Sequence, residues 1–161
     1  MKIVLMLAGA VIALIAIVLI VGVALPKRHT ASRSALFKQD KRAVYAAVRD
    51  VASAAQWRDG VERIEVLDAH HFRERSRMGS VTYEITDDVP AERFSTRIVE
   101  RDLGYSGSWT YRFEDVPGGS RLTITENGEV SNVFFRFMSR FVFGHRASID
   151  AYLKALARRL A

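Results

Sequence analysis

Residues 72–86 read Phe-Arg-Glu-Arg-Ser-Arg-Met-Gly-Ser-Val-Thr-Tyr-Glu-Ile-Thr, and their period of two decides the class of fold. Phe72, Glu74 and Ser76 alternate with Arg73, Arg75 and Arg77, and Val81, Tyr83 and Ile85 alternate with Thr82, Glu84 and Thr86. Successive side chains of a strand point to opposite faces, so each run offers one face to a core and one to water. The same grammar precedes it at Ile64-Glu65-Val66 and follows it in three more runs. Phe94, Thr96, Ile98 and Glu100 share one face, then Trp109, Tyr111 and Phe113, then Leu122, Ile124 and Glu126. Asp87-Asp88-Val89-Pro90 and Pro117-Gly118-Gly119 supply turns short enough for hairpins. Six such runs in succession predict an antiparallel meander.

Upstream, His29 to Phe37 alternates small or apolar residues with polar ones and reads as a further strand. Asp40 can cap a helix in which Val44, Ala47, Val48 and Val51 recur at helical spacing, with Lys41, Arg42, Arg49 and Asp50 opposite. Ala52 to Gln56 allows a second short helix, and Asp59-Gly60 marks a turn. Downstream, a long helix is expected from Phe134 to Leu160. Its stripe of Met138, Val142, Ile149, Leu153, Leu156 and Leu160 is broken at His145 and Arg146 and should lie against the sheet.

The amino-terminal end obeys different rules. Ile3 to Leu25 holds no charged side chain and ends at Pro26-Lys27-Arg28. At about 1.5 Å per residue the run reaches roughly 34 Å, enough to cross a hydrocarbon core of about 30 Å. A secretory signal has an apolar region of only about 7 to 15 residues, so an uncleaved anchor is the better reading. Residues 1–27 are thus expected to form the anchor and its flanks, and residues 28–161 one domain. Lys27, Arg28 and Arg33 outweigh Lys2, which by the positive-inside rule puts the domain in the cytoplasm, on a single-pass protein of the cell membrane.

The net charge of +6 is unevenly spread. Between Asp40 and Val130 stand thirteen basic and seventeen acidic residues, so the basic excess lies in the juxtamembrane segment and the carboxy-terminal helix. That placement suits an anionic lipid surface and argues against a nucleic-acid groove. The absence of cysteine excludes thiol chemistry and disulfides. Gly104-Tyr105-Ser106-Gly107-Ser108 lacks the spacing of a nucleophile elbow, and no phosphate loop, dinucleotide fingerprint or His-Glu-x-x-His run occurs. No metal and no cofactor are expected.

The element order resembles the helix-grip fold of the SRPBCC superfamily, which includes START lipid-transfer domains, polyketide cyclases and aromatases, and the birch pollen allergen group. The resemblance spans Ser32 to Leu160. It is carried by Lys38-Gln39-Asp40-Lys41-Arg42-Ala43-Val44-Tyr45, by Trp57-Arg58-Asp59-Gly60-Val61, by Phe72-Arg73-Glu74-Arg75 and by Gly107-Ser108-Trp109-Thr110-Tyr111. The stretch Phe134-Phe135-Arg136-Phe137-Met138-Ser139-Arg140-Phe141, followed by Tyr152-Leu153, is similar to members of the group. The resemblance implies an α+β domain, a seven-stranded antiparallel sheet curved around a long carboxy-terminal helix, preceded here by one transmembrane helix. It further implies an apolar cavity for a lipid, sterol, polyketide or other hydrophobic molecule.

Several residues could face such a cavity. Phe72, Tyr83, Trp109, Tyr111 and Phe113 would line or simply fill the space between the layers. Glu74, Glu100 and Glu126 fall on the apolar parity, where a carboxylate is costly unless paired or hydrogen-bonded; Glu74 and Glu126 are the candidates for polar ligand contact, beside the alternative that they pair with arginines or face water. Phe137, Phe141 and His145 are cavity candidates on the terminal helix. His70 and His71 are adjacent and cannot jointly ligate a metal in the usual way. The Phe-rich stretch either caps the cavity or touches the bilayer, and Lys27, Arg28, Arg136 and Arg140 are the candidate membrane contacts. The function expected is a membrane-anchored domain that binds a hydrophobic small molecule; the alternatives are a cyclase or dehydratase using the same cavity, or a partner-binding membrane protein with a filled core.

Overall fold

Seven strands make one antiparallel sheet in the order β1-β7-β6-β5-β4-β3-β2, in a computed structural model that describes residues 2–144 and 146–161. They are β1 (Arg28–Phe37), β2 (Val61–Val66), β3 (His71–Ser76), β4 (Gly79–Val89), β5 (Arg93–Ile98), β6 (Tyr105–Val116) and β7 (Gly119–Val130). The meander β2 to β7 is built from neighbours in sequence, each hairpin closing locally, and β1 adds to its far edge by pairing with β7, Ala31 opposite Glu126 and Phe37 opposite Ser120. The register sets Phe72 beside Tyr83, Thr96 beside Trp109 and Phe94 beside Tyr111, so the apolar parities of separate strands share one face.

Helix α2 (Lys41–Arg49) follows Asp40, whose Oδ1 accepts the Arg42 and Ala43 amides at 2.8 and 2.9 Å. Such a cap contributes about 1 kcal/mol. Val44, Ala47 and Val48 are the buried face, and a 3₁₀ turn (Val51–Gln56) continues the segment. The core lies between α2, the concave face of the sheet and the last helix; Phe94, Leu122, Ile124, Ile149 and Leu156 are its fully buried large side chains.

Two expectations change. Glu100 does not sit on β5, which ends at Ile98; its carboxylate accepts the Thr82 amide at 2.8 and 3.0 Å and caps an open backbone donor of β4. The long terminal helix is two helices. Helix α3 (Val133–Met138) passes into a π turn (Ser139–Phe143), which ends at Gly144 with φ +73°, and α4 (Ala147–Arg159) then packs on the sheet. A left-handed φ is cheap for glycine and ends a helix. Helix α4 buries its part of the expected stripe, through Ile149, Leu153 and Leu156.

Helix α3 packs instead on α1 (Lys2–Ala24), the one helix among the described residues long and apolar enough to cross a membrane. A Cβ on Gly22 would collide with the Val133 carbonyl oxygen and lie 2.8 Å from Val133 Cγ1, so glycine is what allows the two backbones to meet.

Candidate functional site

A cavity of about 280 Å³ lies between the concave face of the sheet and α4, roofed by the end of α2 and the 3₁₀ turn. Phe72 and Glu74 reach it from β3, Tyr83 from β4, Phe94 and Thr96 from β5, Trp109 and Tyr111 from β6, and Ile149 and Tyr152 from α4. These positions share one strand parity and one helical stripe, which is why the fold converges them.

Two runs of touching rings make the aromatic wall. Phe72 stacks on Tyr83 with centroids 5.2 Å apart, Tyr83 meets Trp109 edge-on at 5.8 Å, and Tyr111 leans on Tyr152 at 5.5 Å. Trp57 extends the second run, edge-on to Tyr152 at 5.3 Å. Its Nε1, buried in the wall, has no hydrogen-bond partner among the described residues.

One ion pair crosses this apolar space. Arg58 donates through Nη1 to Glu74 Oε2 at 2.6 Å and through Nη2 to Oε1 at 3.3 Å, and its guanidinium lies over the Tyr152 ring at 5.3 Å. Burial works against the Arg58 charge, yet the Glu74 carboxylate together with the neighbouring Tyr152 and Tyr111 more than offsets it, and the guanidinium's pKa is raised. Burial pushes the Tyr111 phenol up to about 12. Tyr83, by burial and then the Glu74 charge, and Tyr152, by burial and then Tyr111, are raised above the ordinary phenol range. At neutral pH the cavity therefore presents protonated phenols and a permanent cation: it can donate hydrogen bonds to a carbonyl or enolate oxygen, and it holds no phenolate base.

Of the residues expected at the cavity, Phe72, Glu74, Tyr83, Trp109 and Tyr111 line it, whereas Glu126, Phe137 and Phe141 do not. Glu126 is occupied just beyond the lining. Its Oε2 accepts Trp109 Nε1 and Ser148 Oγ, each at 3.0 Å, and its Oε1 lies 3.4 Å from His29 Nε2. A carboxylate on apolar parity is thereby satisfied by linking β1, β6, β7 and α4. Phe113 is core, buried edge-on to Tyr45. Phe137 and Phe141 meet at a tilt, centroids 5.0 Å apart, within the α3 and π-turn segment. His145 lies outside the described residues.

Among the candidate membrane contacts, Lys27, Arg28 and Arg140 are exposed. Arg136 is not: its side chain is buried against α1, where Nη1 donates to the Gly22 and Leu25 carbonyls at 3.1 and 3.2 Å and Nη2 to the Ser131 carbonyl at 2.9 Å. A helix C-terminus leaves carbonyls unpaired and carries a partial negative charge, which is what a guanidinium satisfies.

Sequence reading missed Arg58, Trp57 and Tyr152 as site residues. Tyr152 was within reach, because it stands three residues after Ile149 and four before Leu156 on the buried stripe of α4. Arg58 had only an indirect signal, the need of Glu74 for a cation.

A sequence profile for the family described as polyketide cyclase / dehydrase and lipid transport matches residues 28–161. The chain belongs to this family. Within the wider SRPBCC group, solved structures share its fold at low identity. The Zhui aromatase/cyclase from Streptomyces sp. R1128 has a TM-score of 0.70 at 16% identity, over 83% of this chain and 93% of that one. A START superfamily protein from Mycobacterium smegmatis has a TM-score of 0.67 at 13% identity, over 82% and 97%. A conserved protein from Geobacillus kaustophilus has a TM-score of 0.68 at 14% identity, over 83% and 94%. No curated protein matches the chain. The family member described here thus has a helix-grip fold of the hydrophobic-ligand or cyclase type, preceded by an apolar helix.

Proposed function

We propose that this protein is a membrane-anchored binding domain for a small hydrophobic molecule that carries a hydrogen-bond acceptor. The observation that carries the reading is the Arg58–Glu74 pair inside an aromatic cavity that also presents hydrogen-bond donors, the phenols of Tyr83, Tyr111 and Tyr152 and the unpaired Trp57 Nε1, beside the hydroxyls of Thr96 and Ser148. The volume, about 280 Å³, is near the lower end of ligand pockets, which run from about 300 to 1,000 Å³, and favours a compact ring-bearing molecule over a two-chain lipid. Helix α1 would hold the cavity beside the bilayer into which such a ligand partitions. The positive flank Lys27, Arg28 and Arg33 favours a cytoplasmic domain.

The test is extraction and mass spectrometry of small molecules that co-purify with the full chain, with displacement of a fluorescent apolar probe as the quantitative arm. A co-purifying acceptor-bearing molecule, displaced from the parent and weakened several-fold by Trp57→Phe, is the expected result. A chain that holds no small molecule and excludes the probe would overturn the reading. A cyclase or dehydratase reading has one supporting observation, the guanidinium and protonated phenols that could hold an enolate oxygen. It would displace the first if a bound polyketone were turned over and Arg58→Met abolished turnover but not binding.

A further inference from the structure

The anchor is not joined to the domain by a free tether. Helix α1 ends at Ala24 and β1 begins at Arg28. The three residues between are held, because the Val130 amide donates to the Lys27 carbonyl at 2.8 Å. Arg136 bridges the Gly22 and Leu25 carbonyls to that of Ser131, and Gly22 admits the Val133 backbone. Arg136 has no carboxylate partner among the described residues, so its charge is met only by backbone carbonyls at the negative end of α1. The contact fixes α3 beside the last turn of α1.

Depth follows from that contact. A helix of 23 residues is roughly 34 Å long against a hydrocarbon core of about 30 Å, so its last turn lies at the interface, and so does whatever packs on Gly22. The apolar surface is distributed accordingly. Outside α1, nine large apolar side chains are exposed among the described residues, and six of them, Met78, Val99, Tyr105, Phe134, Phe135 and Phe141, belong to the sheet end where β1 begins or to the α3 and π-turn segment. Strand direction explains the first three, since the start of β1 shares its end of the sheet with the β3–β4 turn, the end of β5 and the start of β6. Exposed Lys27, Arg28 and Arg140 border the same region, and Arg140 lies over the Phe141 ring at 5.8 Å. Aromatic rings at acyl depth under a rim of cations are the composition of a bilayer-facing surface.

We infer that α3 and the π turn form a membrane-seating element: Phe134, Phe135 and Phe141 insert into the interfacial layer of the bilayer that α1 spans, and Arg136 clamps them to α1 so that the domain stands in one orientation. The inference rests on the reading of α1 as a span. Its consequence is a cavity held at constant height above the membrane, rather than one that swings on a linker.

The chain has no cysteine, so single substitutions can be labelled with a fluorophore in an otherwise native sequence. Ile12→Cys, Phe135→Cys and Pro117→Cys report the middle of α1, the seating element and the opposite end of the sheet, in vesicles of equal phosphatidylcholine and phosphatidylglycerol with lipid-borne quenchers at two depths. The expected result is deep quenching at Ile12, shallow quenching at Phe135 several-fold above that at Pro117, and loss of the Phe135 signal in Arg136→Met with Ile12 unchanged. Phe134→Cys serves if Phe135→Cys does not fold. Quenching at Ile12 without any at Phe135 or Phe134 overturns the seating element and leaves the anchor standing; absence at Ile12 as well overturns both. A Phe135 label shielded from an aqueous quencher yet untouched by the lipid quenchers would mean a protein surface covers it, and would also overturn the inference.

Discussion

Arg58 grips Glu74 with both terminal nitrogens, at 2.6 and 3.3 Å, in the wall of a cavity built mostly from aromatic and aliphatic side chains. The pair is part-buried, with 26% of the arginine and 14% of the glutamate side chain exposed. Removing one partner strands the other's charge, which in a fully buried pair costs about 3–5 kcal/mol. With this residual exposure, Glu74→Gln or Arg58→Met is expected to destabilise by about 2–3 kcal/mol. The double variant Arg58→Met with Glu74→Leu should recover most of that loss. Thermal or denaturant unfolding of the full chain in detergent checks it; single variants as stable as the parent would show that the pair contributes nothing.

Alkaline pH should destabilise the domain through its cavity tyrosines. Tyr111 is pushed up to about 12, and Tyr83 and Tyr152 are raised too, so the folded state keeps phenolic protons that the unfolded chain gives up near pH 10. Their contribution is fully present below about pH 10 and is lost as pH rises through the folded values, on the order of 1.4 kcal/mol per pH unit for each group. Tyrosinate absorbance followed alongside unfolding should show these phenols ionising only as the domain opens.

Glu126 holds the Trp109 indole and the start of α4 together through one oxygen. Glu126→Ala leaves the Trp109 Nε1 without its acceptor and is expected to cost about 2 kcal/mol. Because Glu126 stands outside the cavity lining, its loss should alter probe affinity far less than Trp57→Phe does. A larger affinity change in Glu126→Ala than in Trp57→Phe would mean that the carboxylate reaches the ligand.

Gly107 leaves room for the Trp109 ring, since a Cβ there would lie 2.8 Å from Cη2 of that indole. Gly107→Ala should therefore shift the ring rather than the backbone. Stability is expected to fall by about 1–3 kcal/mol, while probe affinity changes several-fold. Unaltered probe binding and unaltered Trp109 fluorescence would count against the close contact.

The strands, the capped helix after Asp40 and the apolar α1 were legible in the chain because each depends on local periodicity or length. So were five of the cavity-lining residues on strands, Phe72, Glu74, Tyr83, Trp109 and Tyr111, since parity assigns a face. The break of the terminal helix was half visible at Gly144 and His145-Arg146, but the stripe alone did not show that its first part would leave the sheet for α1. Arg136 illustrates why: an arginine among phenylalanines reads as an interfacial cation, and only the proximity of Gly22, 114 positions away, makes it a helix cap. Glu126 likewise needed its neighbours before its carboxylate could be recognised as a tie between β7, β6 and α4.

By itself, then, the sequence determined the apolar helix, the alternating faces and the helix-grip order, all of them properties that a short window of residues expresses through its own repeat. Tertiary structure alone decided which carboxylate meets a cation inside the cavity, which is consumed in holding strands to a helix, and that α3 with its aromatics leaves the sheet for α1. Those outcomes depend on strand register and on the close approach of backbones distant in sequence, where the cost of an unpaired buried charge or carbonyl selects one partner among many.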